Sequence, residues 1–172
     1  MKVSLYIASS VDGYIAGPND DLSFLNPMQV EGEDYGYYDF INSIDTVITG
    51  RKTYNWVKAQ GIDVPHPEKR HFVLSSQQLE FAGNIELWQD SISSLLQKLE
   101  NEGAQHVFLE GGAQLIQSFL ELNAIDELIW FMVPILLGDG QALFLKQDKQ
   151  RQLKLIHAHS YKNGMQKLHY RF

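Results

Sequence analysis

The sequence predicts an α/β protein: one domain over residues 1–172, in three layers, with a mixed but mostly parallel central sheet, helices on both faces and an antiparallel hairpin at the C-terminus. Three observations predict it. Short apolar runs alternate with amphipathic helical patterns along most of the chain, the rhythm of parallel strands joined by helices. That rhythm breaks at the end, where strand-like runs at 153–161 and 165–172 flank Lys162-Asn163-Gly164, whose Asn-Gly pair signals a hairpin. With 172 residues, 44% of them hydrophobic, the chain is of single-domain size with enough apolar surface for a sizeable core. No repeat, low-complexity segment or linker divides it.

Residues 3–8 are a short apolar run ended by a turn, as in a central strand, and Gly13, Gly17-Pro18 and Asn19-Asp20 then mark a long loop placed to lie over a ligand. Residues 33–44 bring Tyr35, Tyr38, Ile41 and Ile44 round at helical spacing, and Thr46-Val47-Ile48-Thr49 is the following strand, ended by Gly50. A short helix over 53–58 and a loop over 61–67 with two prolines precede a strand at 71–74. A further strand falls at 85–88. Ile92, Leu95, Leu96 and Leu99 give the next helix an apolar face, with Asp90 or Ser91 as its cap. Residues 106–109 form a strand from which Gly111-Gly112 leads straight into a helix striped with Leu115, Ile116, Phe119 and Leu120; a long strand covers 125–133.

Composition excludes several classes. Lys and Arg number 14 against 21 Asp and Glu, a net charge of −7 that speaks against a general nucleic-acid-binding surface, so any anion must be held locally. The absence of cysteine removes disulfides, thiolate nucleophiles and Cys-ligated zinc, and leans towards the cytoplasm. The N-terminal apolar run is too short for a signal peptide, and no run approaches the ~20 apolar residues of a membrane span. A soluble cytoplasmic protein is expected. No H-E-x-x-H occurs among the six histidines, His157 and His159 merely alternate within a predicted strand, and neither a Walker lysine motif nor a nucleophile elbow around Ser9, Ser10 or Ser75 is present. No metal is expected.

The chemistry-bearing residues gather in four stretches, each where a predicted strand ends: Ser10-Val11-Asp12-Gly13, Gly50-Arg51-Lys52-Thr53, Leu74-Ser75-Ser76 and Glu110-Gly111-Gly112. Strand ends are where open α/β sheets bind ligands. Glu110-Gly111-Gly112 opens a helix whose backbone N–H groups and positive dipole end suit a pyrophosphate. Arg51, Lys52 and Thr53 suit phosphate oxygens, and the Ser75 and Ser76 hydroxyls suit a ribose or its 2′-phosphate. Taken alone, each also reads as an ordinary polar turn; together they embrace a dinucleotide. The single G-x-G-x-x-G fingerprint of a Rossmann domain is absent. Asp12 reads as a turn residue, while Tyr35, Tyr38 and Trp56 read either as core or as the lining of a substrate side.

These residues resemble the dihydrofolate reductase-like superfamily, specifically the group containing the C-terminal reductase domain of the bifunctional riboflavin-pathway deaminase/reductase. The likeness runs through 5–17, 45–54, 71–77, 107–120, Ile125-Asp126-Glu127-Leu128, Pro134, Leu137-Gly138-Asp139-Gly140 and Phe144, almost the whole chain. It implies a dihydrofolate reductase-like fold that binds NADPH. Ala8, Ile15, Leu22 and Phe24 would lie along the nicotinamide side; Gly50, Arg51, Lys52 and Thr53 would meet the phosphates. Leu74, Ser75 and Ser76 would lie near the adenosine ribose and its 2′-phosphate, which together with Arg51 favours NADP over NAD, and Gly111, Gly112, Ala113, Gln114 and Leu115 would form the pyrophosphate turn and helix start.

Folate reductases carry an acidic residue in a helix after strand one, and Asp20-Asp21-Leu22-Ser23-Phe24 offers no clear equivalent. Glu110 instead stands where riboflavin-type reductases have a glutamate that contacts substrate. No counterpart of the deaminase half, with its zinc-binding His and Cys residues, occurs in these 172 residues, so a stand-alone reductase domain is expected. The resemblance implies hydride transfer from NADPH to a C=N or C=O group of a small polar, pterin-like or ribosylamino-pyrimidine-like substrate. Glu110 would bind that substrate, deliver a proton, or only cap its helix. The alternatives are a non-catalytic NADP-binding regulatory protein and a true dihydrofolate reductase. A homodimer built from the apolar final strands is also expected.

Overall fold

Residues Lys2–Ser10 form β1, a strand buried on both faces: Val3 and Leu5 point to one layer, while Tyr6 and Ala8 point to the other, as the two-residue period of a strand requires. The computed structural model describes residues 1–78, 81, 83–146 and 149–172. After β1 come β2 (Tyr14–Ala16), α1 (Tyr37–Ser43), β3 (Thr46–Gly50), α2 (Arg51–Ala59), β4 (Arg70–Leu74), β5 (Ile85–Trp88) and α3 (Ile92–Asn101). Then follow β6 (His106–Gly111), α4 (Ala113–Glu121), β7 (Glu127–Val133), β8 (Gln141–Ala142), β9 (Lys154–Ser160) and β10 (Gln166–Arg171).

The main sheet has eight strands in the order β5-β4-β3-β6-β1-β7-β10-β9. From β5 to β7 all pairings are parallel; β10 returns antiparallel to β7 and to β9. On one face, Leu95 and Leu99 of α3 and Leu115, Ile116, Phe119 and Leu120 of α4 pack on Val3, Leu5, Ile48 and Phe72. On the other, Phe40, Ile41 and the following Ile44 cover Val47 and Phe108. This is the predicted three-layer, dihydrofolate reductase-like α/β architecture. No helix among the described residues is long and apolar enough to cross a membrane.

Local signals behave as their chemistry dictates. The Ser91 hydroxyl caps α3 by accepting from the Ser94 N–H at 3.1 Å. The β9–β10 turn closes through Gly164 N–H to Tyr161 O at 3.0 Å, with Gly164 at φ +88. It is a three-residue turn ending in a left-handed glycine, rather than a two-residue Asn-Gly turn.

Two expectations are corrected. The helix expected over 33–44 starts only at Tyr37, because Asp34 accepts from the Gly36 and Tyr38 N–H groups at 2.9 and 3.1 Å while Tyr35 and Gly36 adopt left-handed conformations. The loop after β1 carries β2, which pairs antiparallel with β8. This small clasp needs Gly140: a Cβ there, at φ +139, would lie 2.1 Å from the Ala16 carbonyl oxygen.

Candidate functional site

Because β1, β3, β4 and β6 run parallel, their carboxyl ends share one edge, and three of the four stretches singled out in the sequence meet there, whereas Ser10-Val11-Asp12-Gly13 stays outside the cavity they line. A cavity of about 520 Å³ opens at that edge. Its walls include Ala8, Ile15 and Leu22 on one side; Gly50, Arg51, Lys52 and Thr53 at the start of α2; Leu74, Ser75 and Ser76 after β4; and Glu110, Gly112, Gln114 and Leu115 at the β6–α4 junction. Arg51, Ser75 and Gly112 therefore face one space.

Three expected lining residues lie outside these walls. Phe24 packs with Met28, Phe131 and Met165 in the apolar layer beneath, which shields its ring better than the cavity would. Gly111 continues β6 and is buried with Ile116 next to its α-carbon, and Ala113 is buried at the first turn of α4. Residues missed in the sequence also line the walls, among them Tyr6, Asp20, Leu25 and Gln141. Gln141 arrives from β8, more than a hundred residues from β1, with no local pattern to announce it.

Two helices begin at this cavity, and neither has a side-chain cap: α2 follows Gly50 and α4 follows Gly112. Their first-turn N–H groups, together with Arg51 and Lys52, concentrate positive potential on one end of the cavity in a chain of net charge −7. Glycine suits both junctions because the surroundings are close. A Cβ on Gly50 would stand 3.3 Å from the Gly111 carbonyl oxygen, and one on Gly112 would stand 3.4 Å from Thr53 Oγ1. The Gly111–Gly112 peptide is cis.

Glu110 does not cap α4. It lies deep in the sheet with part of its surface open to the cavity, and Thr49 on the neighbouring β3 donates its hydroxyl proton to the carboxylate. Burial pushes the Glu110 carboxyl above the usual carboxylate range, against the opposing pull of the Thr49 donor. Nearby, the Tyr37 hydroxyl is pushed up to about 12, mainly by burial and then by the Glu110 charge. It shares a 2.8 Å hydrogen bond with His66 Nε2.

A second cavity, of about 1120 Å³, adjoins the first; both are walled by Tyr6, Ile7, Ala8 and Leu25. Tyr35, Tyr37, Tyr38, Phe131 and the 28–34 segment enclose it. The Tyr35 hydroxyl donates to the Met28 carbonyl and accepts from Asn163 Nδ2 at 2.8 Å, pinning this rim to the β9–β10 turn. Of the aromatics left open between core and lining, Tyr35 and Tyr38 line this second cavity and Trp56 the first. Asp12 is the turn residue expected: its carboxylate accepts from the Leu137 and Gly138 N–H groups at 3.1 and 2.7 Å. Among the described residues, no group of three or more His, Asp or Glu side chains is placed to hold a metal ion.

Comparison with known proteins fits this architecture. A structure from Shewanella sp. PV-4, of a protein named for riboflavin biosynthesis, superposes with a TM-score of 0.92 at 27% identity over 99% of this chain and 98% of that one. The Thermotoga maritima diaminohydroxyphosphoribosylaminopyrimidine deaminase/5-amino-6-(5-phosphoribosylamino)uracil reductase superposes with a TM-score of 0.76 at 17% identity, covering 99% of this chain and 56% of that one. In sequence, YwjB of Bacillus subtilis strain 168, an uncharacterized protein, is 33% identical over 98% of this chain and 97% of its own length. The RibD C-terminal domain family matches residues 1–167, and the chain belongs to that family.

Proposed function

We propose that this protein is an NADPH-dependent reductase that transfers a hydride to a C=N or C=O group of a small polar substrate. The observation that carries the reading is the convergence of two uncapped helix starts, Arg51, Lys52 and the Ser75–Ser76 hydroxyls on one cavity whose apolar side opens into a second. A dinucleotide has matching parts: negative phosphates at one end and a flat ring at the other. The residues present fit it, since the close quarters at Gly50 and Gly112 leave backbone where a Cβ would stand.

When bound, NADPH supplies the hydride. The chain's own groups do the rest. Arg51, Lys52 and the first-turn amides of α2 and α4 hold the phosphates, while Ser75 and Ser76 take the adenosine ribose and its 2′-phosphate. Ala8, Ile15 and Leu22 form the apolar wall that orients the nicotinamide and excludes water. Glu110, held by Thr49 and with its carboxyl raised above the usual carboxylate range by burial, offers a proton or a hydrogen bond to a substrate heteroatom from Oε. A dedicated acid–base triad is unnecessary because positioning supplies most of the rate.

The expected homodimer belongs to this proposal. Strand β9 is an edge strand of the main sheet, every residue of it is exposed, and Leu155 and Ile156 are 51% and 42% exposed. An edge with apolar side chains on both faces suits a second copy of the chain.

Titration with NADPH and NADH, followed by nicotinamide fluorescence, tests the reading, together with loss of reduced-nicotinamide absorbance in the presence of dihydrofolate, ribosylamino-pyrimidines and simple carbonyls. Binding of NADPH in preference to NADH and turnover of one substrate class is the expected result. Tight NADPH binding with no turnover on any class would instead identify a non-catalytic NADP-binding protein, and no binding of either nucleotide would overturn both readings.

A further inference from the structure

The two cavities differ in charge. The first holds Arg51 and Lys52 alongside Asp20 and the buried Glu110, so an anion there has cations to meet. The second has no lysine or arginine on its lining, and its rim carries Glu31, Glu33 and Asp34. Two of these carboxylates are held as part of the rim. Asp34 accepts from the Gly36 and Tyr38 N–H groups, which keep it below the usual carboxylate range, and Glu33 accepts from the Tyr35 N–H at 2.8 Å.

The surrounding elements do not reverse this balance. Lys167 of β10 is the nearby cation, and it is already engaged: its Nζ donates to the Tyr35 carbonyl at 3.0 Å and sits 5.3 Å from the centre of the Phe131 ring. His66, bonded to Tyr37, is held below the ordinary histidine range mainly by burial, so it is neutral near pH 7. Glu110 lies beyond, in the wall of the first cavity. Apart from Gln29, the remaining side chains of the lining are aromatic or apolar, with Tyr6, Tyr35, Tyr37, Tyr38, Phe131 and Met165 prominent. Such walls take flat rings, and their faces favour a neutral or cationic guest over an anionic one.

We propose that the second cavity admits a flat, conjugated substrate carrying no phosphate and no net negative charge, and rejects the phosphoribosyl type of substrate named for the Thermotoga maritima relative. The inference rests on the reading that the first cavity holds the dinucleotide, for only then is the second left to the substrate. A phosphomonoester brings about −1.5 to −2 charges near neutral pH. At a rim of three carboxylates, with no lysine or arginine on the lining and Lys167 already engaged by the Tyr35 carbonyl and the Phe131 ring, it meets net repulsion.

The test uses the full chain saturated with NADP⁺ at low ionic strength. Calorimetry measures the binding of 5-amino-6-(5-phosphoribosylamino)uracil and of the same compound with its phosphate removed. The unphosphorylated compound is expected to bind at least about tenfold more tightly, and Glu31→Lys is expected to narrow that gap by strengthening the phosphorylated form. Equal or tighter binding of the phosphorylated compound overturns the proposal, including the case where a second copy of the chain supplies the missing cation. Failure of both compounds to bind overturns it as well. The fluorescence of NADPH reports cofactor binding separately; if the cofactor fails to bind, the reductase reading falls, whereas cofactor binding without a preference for the unphosphorylated compound overturns this proposal alone.

Discussion

The Thr49 hydroxyl donates to the Glu110 carboxylate across the β3–β6 pairing, so the one carboxyl buried in the cavity wall is held from a neighbouring strand and not from its own loop. That contact fixes where Glu110 can deliver a proton, and it partly offsets the cost of burying the group.

Glu110→Gln should therefore change stability with a definite pH signature. The folded-state pKa of Glu110 is raised, so the folded protein keeps a proton that the unfolded chain releases from about pH 4 upward. Its penalty is absent below that range and grows as pH rises through the folded value. Thermal melts of the wild type and Glu110→Gln should coincide near pH 4 and diverge by several degrees towards pH 8, the variant melting higher, while its reductase turnover falls at least tenfold. Parallel melting curves at all pH values would show that Glu110 is ionised in the folded protein.

Arg51→Ala should weaken NADPH binding by about tenfold, as expected for loss of one charge-assisted phosphate contact, and leave the fold intact because Arg51 starts α2 at the cavity wall. Fluorescence titration against NADH separates the sites of contact. An equal loss for both nucleotides puts Arg51 on the pyrophosphate; a loss confined to NADPH puts it on the 2′-phosphate. No loss for either would remove it from the site.

Gly140→Ala should cost roughly 2–4 kcal/mol in chemical denaturation, since a methyl group at φ +139 would collide with the Ala16 carbonyl at 2.1 Å. Gly138→Ala is the matched control: its φ of +76 is also left-handed, but a Cβ there meets nothing within 4 Å, so the loss should be smaller, about 1 kcal/mol.

Ile156→Lys places a charge in the exposed edge strand β9. Light scattering after size-exclusion chromatography should give about twice the 19.7 kDa chain mass for the wild type and once that mass for the variant. A monomeric wild type, or a variant that stays dimeric, would remove β9 from the interface.

Much of the architecture was legible because it is local. The apolar runs at 46–49, 71–74 and 106–109 are strands buried on both faces, which need no partner to be recognised, and the helices over 92–101 and 113–121 announce themselves by one apolar stripe each. Much of the first cavity was legible for the same reason, since parallel strands bring their carboxyl ends to one edge. What escaped depends on distant pairing or on competing local bonds. The β2–β8 clasp joins segments of three and two residues across most of the chain, and Gln141 enters the cavity only because of it. The start of α1 moved because Asp34 bonds the backbone ahead of the helix, which helical spacing does not record. Phe24 was placed on the cofactor side by resemblance, yet its ring belongs to the layer with Met28 and Phe131.

Tyr35 ties the rim at Met28 to Asn163 in the final turn, whereas the floor of both cavities comes from β1 at the centre of the sheet. Floor and rim touch where the Tyr6 hydroxyl of β1 donates to the Tyr35 carbonyl at 3.3 Å, but the 29–34 segment takes no part in the main sheet. Sequence change confined to 29–34 can alter which molecules enter the second cavity without disturbing the pairing of β1 with β6 and β7, so descendants of one such scaffold are free to admit new guests there while inheriting the first cavity unchanged.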